Sequence, residues 1–207
     1  MKILKLIICI TAGYFIGSLN PAALLGKIKK VNLRNKGTGN LGATNTMLVL
    51  GKAYGALVMA LDIAKAFISV KLCQLLCPTV AFAGIAAGSA AVIGHIFPFY
   101  MKFKGGKGLA PYAGMVLAVD PLLFCFLLAA CVTLMVIVNY SVALPWSAGI
   151  LFPLLSIPRT DSIPYILIAV GISALVMAKH FPNLKKAISG EDTKIREFIK
   201  NSFKKKV

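Results

Sequence analysis

A chain of 207 residues that is 58% hydrophobic and only 14% charged, with a mean hydropathy of +0.84, is not a soluble globular domain. Its 23 Lys and Arg against 6 Asp and Glu give a formal charge of +17. The cations gather between or after apolar runs, at Lys27 to Lys36, Lys102 to Lys107 and Lys179 to Lys206, which suits membrane topology and anionic lipid rather than nucleic acid.

The first apolar run spans about Leu4 to Leu25 after Lys2 and Lys5. It continues through Gly17-Ser18-Leu19-Asn20-Pro21 without a convincing cleavage site, so an uncleaved first membrane helix is expected. Six further spans follow, at Ala53 to Leu76, Thr79 to Phe99, Leu109 to Val119, Leu122 to Val138, Val142 to Ile157 and Ile163 to Ala178. A full crossing takes about 20 residues, so the fourth span, Leu109 to Val119, is tilted, broken or partly buried in protein. Proline marks the boundaries at Cys77-Pro78, Asp120-Pro121, Pro145 and Pro164.

The expectation is therefore an all-α polytopic membrane protein with about seven transmembrane helices. The basic segments follow spans one, three and seven, all on one face. The positive-inside rule makes that face cytosolic and puts the N-terminus outside. Residues 1–184 form a single transmembrane domain, and 185–207 a basic, helical cytosolic tail. Cys9, Cys73, Cys77, Cys125 and Cys131 lie in or beside apolar runs without a metal-ligand pattern of Cys and His, and read as packing residues. No cofactor or metal is called for.

Between the first two spans lies Gly37 to Asn45, Gly-Thr-Gly-Asn-Leu-Gly-Ala-Thr-Asn, too small and polar for a core. Glycines let backbone N–H groups approach an anion, so the stretch is either a phosphate cradle or a flexible connector. Gly37, Gly39 and Gly42 spell G-x-G-x-x-G, with Asp62 twenty residues on. That match is accidental, because a dinucleotide fingerprint needs a buried strand and a soluble βαβ unit. Phe103-Lys104-Gly105-Gly106-Lys107-Gly108 is a second candidate, with two lysines around a glycine pair at a helix start. Asp62 and Lys65 are three apart within the second span and form a structural ion pair. His95 is a helix-end hydrogen bonder, and Lys52 either snorkels or reaches the site. His180 and Asn183 share a face if the last helix continues through Pro182, where they could grip a small polar substrate.

These stretches together resemble the PlsY-type family of bacterial acyl-phosphate-dependent glycerol 3-phosphate acyltransferases. The resemblance covers nearly the whole chain. It rests on Gly17-Ser18 with Lys27, Gly37 to Asn45 with Gly51-Lys52, Gly55, Asp62 and Lys65, then Gly94-His95 and Phe97-Pro98, Phe103 to Gly108, and His180, Asn183, Gly190 and Glu191. It implies transfer of an acyl group from acyl phosphate to glycerol 3-phosphate at the cytosolic face of the bacterial inner membrane, giving lysophosphatidate for phospholipid synthesis. The partners it implies are those two substrates, membrane lipid and the soluble acyl-phosphate synthase; no nucleic acid is involved. Thr38, Lys107, His180 and Asn183 are the catalytic positions it implies. The substrate-binding positions are Gly37, Gly39, Asn40, Thr44, Asn45, Lys104, Gly105, Gly106 and Ser141. The donor phosphate would lie on Thr38 and on the Gly106-Lys107 backbone and ammonium, with His180 and Asn183 on the acceptor.

The departures concern the acceptor. Leu48 stands where the family has an arginine that pairs with the acceptor phosphate, another family arginine is missing near Asn139-Tyr140, and Pro111 replaces a threonine. Leucine does not replace bidentate recognition of phosphate. Arg34, Lys36 or Lys52 are the available substitutes. The alternatives are a relative with a different acceptor, a non-catalytic lipid-binding protein, or a transporter using Asp62 and Lys65.

Overall fold

The computed structural model describes residues 2–192 and 194–197, and over these the chain is helical. The expected first span is two helices, α1 (Lys2–Ser18) and α2 (Pro21–Ile28), separated at Leu19-Asn20. Asn20 caps α2 by accepting the Ala23 N–H at 2.8 Å, and Pro21 occupies the first helical position, where no N–H is needed. The break takes the Leu19 carbonyl out of helical pairing. It is used by the site described below.

A helix not expected from the sequence, α3 (Ala43–Leu50), fills the second half of the Gly37 loop region. Gly51, at φ 105°, turns the chain from α3 into α4 (Lys52–Leu76). The rest of the bundle is α5 (Ala83–Ile96), α6 (Leu109–Val119), α7 (Pro121–Val138), α8 (Ala143–Ser156) and α9 (Ile163–Ile188). α9 runs through Pro182 and ends ten residues beyond the expected Ala178. His180 and Asn183 are therefore on one helix.

Among the described residues, four stretches are long and apolar enough to cross a membrane: Lys2–Ile28, Ala83–Met101, Pro121–Val138 and Ile163–Ile188. α6 is shorter and packs inside the protein, with Pro111, Tyr112, Gly114, Met115, Val116 and Ala118 all buried. At about 1.5 Å per residue it cannot span the hydrocarbon alone.

Packing centres on α5, which contacts α1, α4, α6 and α9. Apolar side chains gain little by leaving lipid for protein, so such helices associate through close backbone approach at small residues. Gly13 and Gly17 of α1 lie directly on the backbone of Ala87 and Ala91 in α5, and Gly114 of α6 lies on Ile63 of α4. A Cβ at any of them would collide with a neighbouring main chain. Val70, Ile85, Val92, Met115, Phe152 and Val176 fill the core, and Tyr112 hydrogen bonds Ser173 at 2.7 Å to tie α6 to α9.

The basic connections meet at one end of the bundle. There Arg34 donates to the Lys104 carbonyl, Lys107 to Asn183, and the Ile195 N–H to the Asn139 carbonyl at 3.1 Å. The other end carries an Asp120–Arg159 pair at 3.1 Å. The start of the tail folds back through Gly190, at φ 76°, onto the α7–α8 corner, where the Arg196 N–H also reaches Asn139 Oδ1 at 3.0 Å. Residue 193 and residues 198–207 of the expected helical tail lie outside the described residues.

Candidate active site

The Gly37 loop is a fixed structure rather than a slack connector. Gly37 and Gly39 take φ of 58° and 72°, where glycine carries no steric penalty. The Asn45 amide oxygen accepts the Thr38 N–H at 2.6 Å, and its NH2 group donates to the Leu33 carbonyl at 2.8 Å. Asn45 itself is fully buried. Both ends of its amide are thus engaged within the loop, and a Cβ on Gly37 would strike the Asn45 oxygen. The Gly39 N–H is likewise spent on the Lys36 carbonyl at 3.1 Å, and the Asn40 N–H points to Thr38 Oγ1 at 3.4 Å. Thr38 and Thr44 remain exposed.

The second loop lies on the end of α5. Gly105 and Gly106 donate to the Ile96 and His95 carbonyls at 2.9 and 3.1 Å. A side chain on Gly105 would meet the His95 carbonyl, and one on Gly106 the His95 ring. Both N–H groups are internally satisfied, and these glycines permit the close approach of the loop to α5. The two loops touch, because a Cβ on Gly106 would also come within 2.9 Å of the Leu41 carbonyl. The N–H groups left for an anion belong to the first turns of α3 and α6, whose N-cap residues, Gly42 and Gly108, supply no capping side chain.

Lys107 follows the glycine pair, and its ammonium donates to Asn183 Oδ1. Burial, and then the nearby Lys186 charge, lower its pKa from the ordinary lysine value, while Asp192 opposes them. His180 sits one turn earlier on α9, buried, with Nδ1 donating to the Val176 carbonyl at 2.9 Å. In the neutral ring that bond leaves Nε2 as an acceptor. Lys104 is exposed at the loop tip, held through its carbonyl by Arg34, and Ser141 is exposed in the α7–α8 connection at the same end. Leu48 lies 47% exposed on α3, and Lys36 and Lys52 are exposed too. Arg34 lines a cleft of about 420 Å³ with Lys27 and Lys30.

Beneath this surface is a buried ionic cluster that sequence reasoning saw only in part. The expected Asp62–Lys65 pair is present at 2.7 Å. His95, read as a lone helix-end group, joins it: Nδ1 lies 3.2 Å from Asp62 Oδ1 and 2.8 Å from Lys65 Nζ, and Lys65 also donates to the freed Leu19 carbonyl at 2.8 Å. The cluster ties the α1–α2 break to α4 and to the end of α5 on which Gly105 and Gly106 rest. All three side chains are at most 6% exposed. Through these contacts the cluster supports the loop from below.

Comparison with known proteins bears on the family and the fold. The family model "Glycerol-3-phosphate acyltransferase" matches residues 7–190. A glycerol-3-phosphate acyltransferase of Thermoanaerobacter pseudethanolicus is 36% identical over 88% of this chain and 91% of its own. That of Bacillus velezensis is 36% identical over 91% and 97%. Among solved structures, the integral membrane glycerol 3-phosphate acyltransferase PlsY (YgiH) in its glycerol 3-phosphate form superposes with a TM-score of 0.85 at 31% identity, over 91% of this chain and 94% of that one. Its lysophosphatidic acid form gives 0.84 at 28% identity, over 94% and 98%.

Proposed function

The chain belongs to the glycerol-3-phosphate acyltransferase family, and from that premise we propose that it transfers a fatty acyl group from acyl phosphate to glycerol 3-phosphate, releasing lysophosphatidate and inorganic phosphate. The observation that carries this reading is Lys107, a partly buried ammonium held on Asn183 where two glycine loops and two uncapped helix starts meet. Such a place neutralises a phosphate dianion. In this reading the chain passes the membrane seven times, through α1 and α2 together, α4, α5, α7, α8, α9 and a fourth passage in which the short α6 lies buried in protein rather than in lipid, with the N-terminus outside and the site at the cytosolic face of the inner membrane.

The mixed anhydride is already activated, so catalysis needs alignment and charge neutralisation more than a strong base. The glycerol hydroxyl attacks the acyl carbon and the bond to the phosphate oxygen breaks. The hydroxyl proton leaves on the departing phosphate. Lys107 and Thr38 hold that phosphate, while His180 Nε2 accepts from the second, non-attacking hydroxyl of glycerol 3-phosphate and Asn183 orients the acceptor. Leu48 leaves the acceptor phosphate to other cations, and Arg34, at the loop junction, is the best placed of these. The soluble acyl-phosphate synthase supplies the donor. The test is a donor panel in detergent or lipid with labelled glycerol 3-phosphate: palmitoyl phosphate supports product, and palmitoyl-CoA does not. Product from the thioester alone would overturn the reading.

Two further outcomes follow. Leu48→Arg restores a bidentate phosphate partner and lowers the KM for glycerol 3-phosphate about tenfold, on the order of 1.4 kcal/mol; an unchanged KM would mean the acceptor phosphate lies elsewhere. Because its pKa is lowered, free Lys107 loses its charge at a lower pH than an ordinary lysine. The kcat/KM for acyl phosphate therefore declines as pH rises through that lowered value. Lys107→Arg, whose guanidinium stays charged, removes the alkaline decline.

A further inference from the structure

Cys9, Cys73 and Cys77, distant in sequence and read there as packing residues, come together in the fold. Their three Sγ atoms lie within 4.8 Å of one another, and all three are buried. Cys73 and Cys77 are one helical turn apart at the end of α4, joined by the Cys77 N–H to Cys73 carbonyl bond at 2.9 Å, and α1 brings Cys9 against them. The place is about 12 Å along α4 from Lys65, on the side away from Lys107.

We propose that these three thiols form a site for one soft, thiophilic metal ion, with monovalent copper the best fit. A trigonal ion with metal–sulfur bonds of about 2.3 Å separates its sulfurs by about 4 Å, so small side-chain rotations close the site. The packing around it is apolar: Leu6, Val80, Ala83 and Ala87. No carboxylate or imidazole among the described residues joins the three sulfurs in this group. Hard cations, which take oxygen ligands, are not served by this set, and zinc at a structural site takes four ligands. A monovalent ion is satisfied by two thiolates and one thiol; two protons pass to solvent and the complex carries one negative charge. Lys5 lies one turn before Cys9 on α1, a cation at the same end of the bundle. Cys131 is buried and Cys125 exposed, both outside the group, which makes them internal controls.

The experiment uses the full chain in detergent, reduced and anaerobic, titrated with monovalent copper against a colorimetric chelator. The expected result is one ion per chain, unchanged in a Cys125→Ser, Cys131→Ser double variant and weakened at least a hundredfold in Cys9→Ala and in Cys73→Ala. X-ray absorption then shows sulfur ligands only. Acyl transfer by the same variants confirms that they are folded, since none of these residues touches the catalytic end. Failure of the wild-type protein to retain copper, or retention unchanged in a folded Cys9→Ala variant, overturns the proposal.

Discussion

Lys107→Ala lowers kcat/KM for acyl phosphate by about 10²–10³, the range lost when one preorganised group facing developing charge is removed from an active site. The side chain is only partly buried and, among the described residues, its one hydrogen bond is to Asn183, so thermal stability changes little. The loss is therefore in the reaction and not in the fold. Initial rates with palmitoyl phosphate as the varied substrate, beside a melting curve of the same preparation, separate the two. Full activity in the variant would mean that the donor phosphate is neutralised elsewhere, Lys104 being the next cation along the loop.

Lys65→Ala has the largest effect on stability, a loss of about 3–5 kcal/mol, because it leaves the Asp62 carboxylate buried without its cation. Neither end of this cluster reaches solvent to be rescued by water. The same change frees the Leu19 carbonyl and leaves His95 with Asp62 as its side-chain partner, and so loosens the surface on which Gly105 and Gly106 lie. The kcat falls even at temperatures where the protein remains folded. A Lys65→Met, Asp62→Asn double variant, which removes both charges, recovers part of the lost stability. Equal melting temperatures for Lys65→Ala and the wild type would contradict the account of the cluster as the floor of the site.

Local signals carried much of this organisation in the sequence. α6 could be placed at Leu109–Val119 from hydropathy between a glycine loop and Asp120-Pro121, and it has those bounds. The Asp62–Lys65 pair followed from helical spacing. What escaped depended on long-range contacts. Hydropathy averages over Leu19 and Asn20, so the break before α2 was invisible, although Asn-Pro is a recognisable helix start. α3 was hidden because eight residues after a glycine-rich stretch make a weak periodic signal. His95 could not be assigned to the ionic cluster, nor Cys9 to the Cys73–Cys77 pair, because each meets its partners only when α5 or α1 packs on α4. The internal hydrogen bonds of Asn45, Gly105 and Gly106 were illegible for a related reason. A glycine-rich loop announces exposed amides, and only the fold shows that several of them are already spent.

The central claim is that Lys107 and the two glycine loops hold the leaving phosphate of an acyl phosphate while glycerol 3-phosphate takes the acyl group. Its most direct test is a single assay in lipid nanodiscs. Palmitoyl phosphate and glycerol 3-phosphate are supplied, and lysophosphatidate and inorganic phosphate are both quantified, with an active relative as control. The account predicts the two products in equal amounts, with both lost in Lys107→Ala. Phosphate release without lysophosphatidate, or no product at high protein concentration while the control turns over, would contradict it.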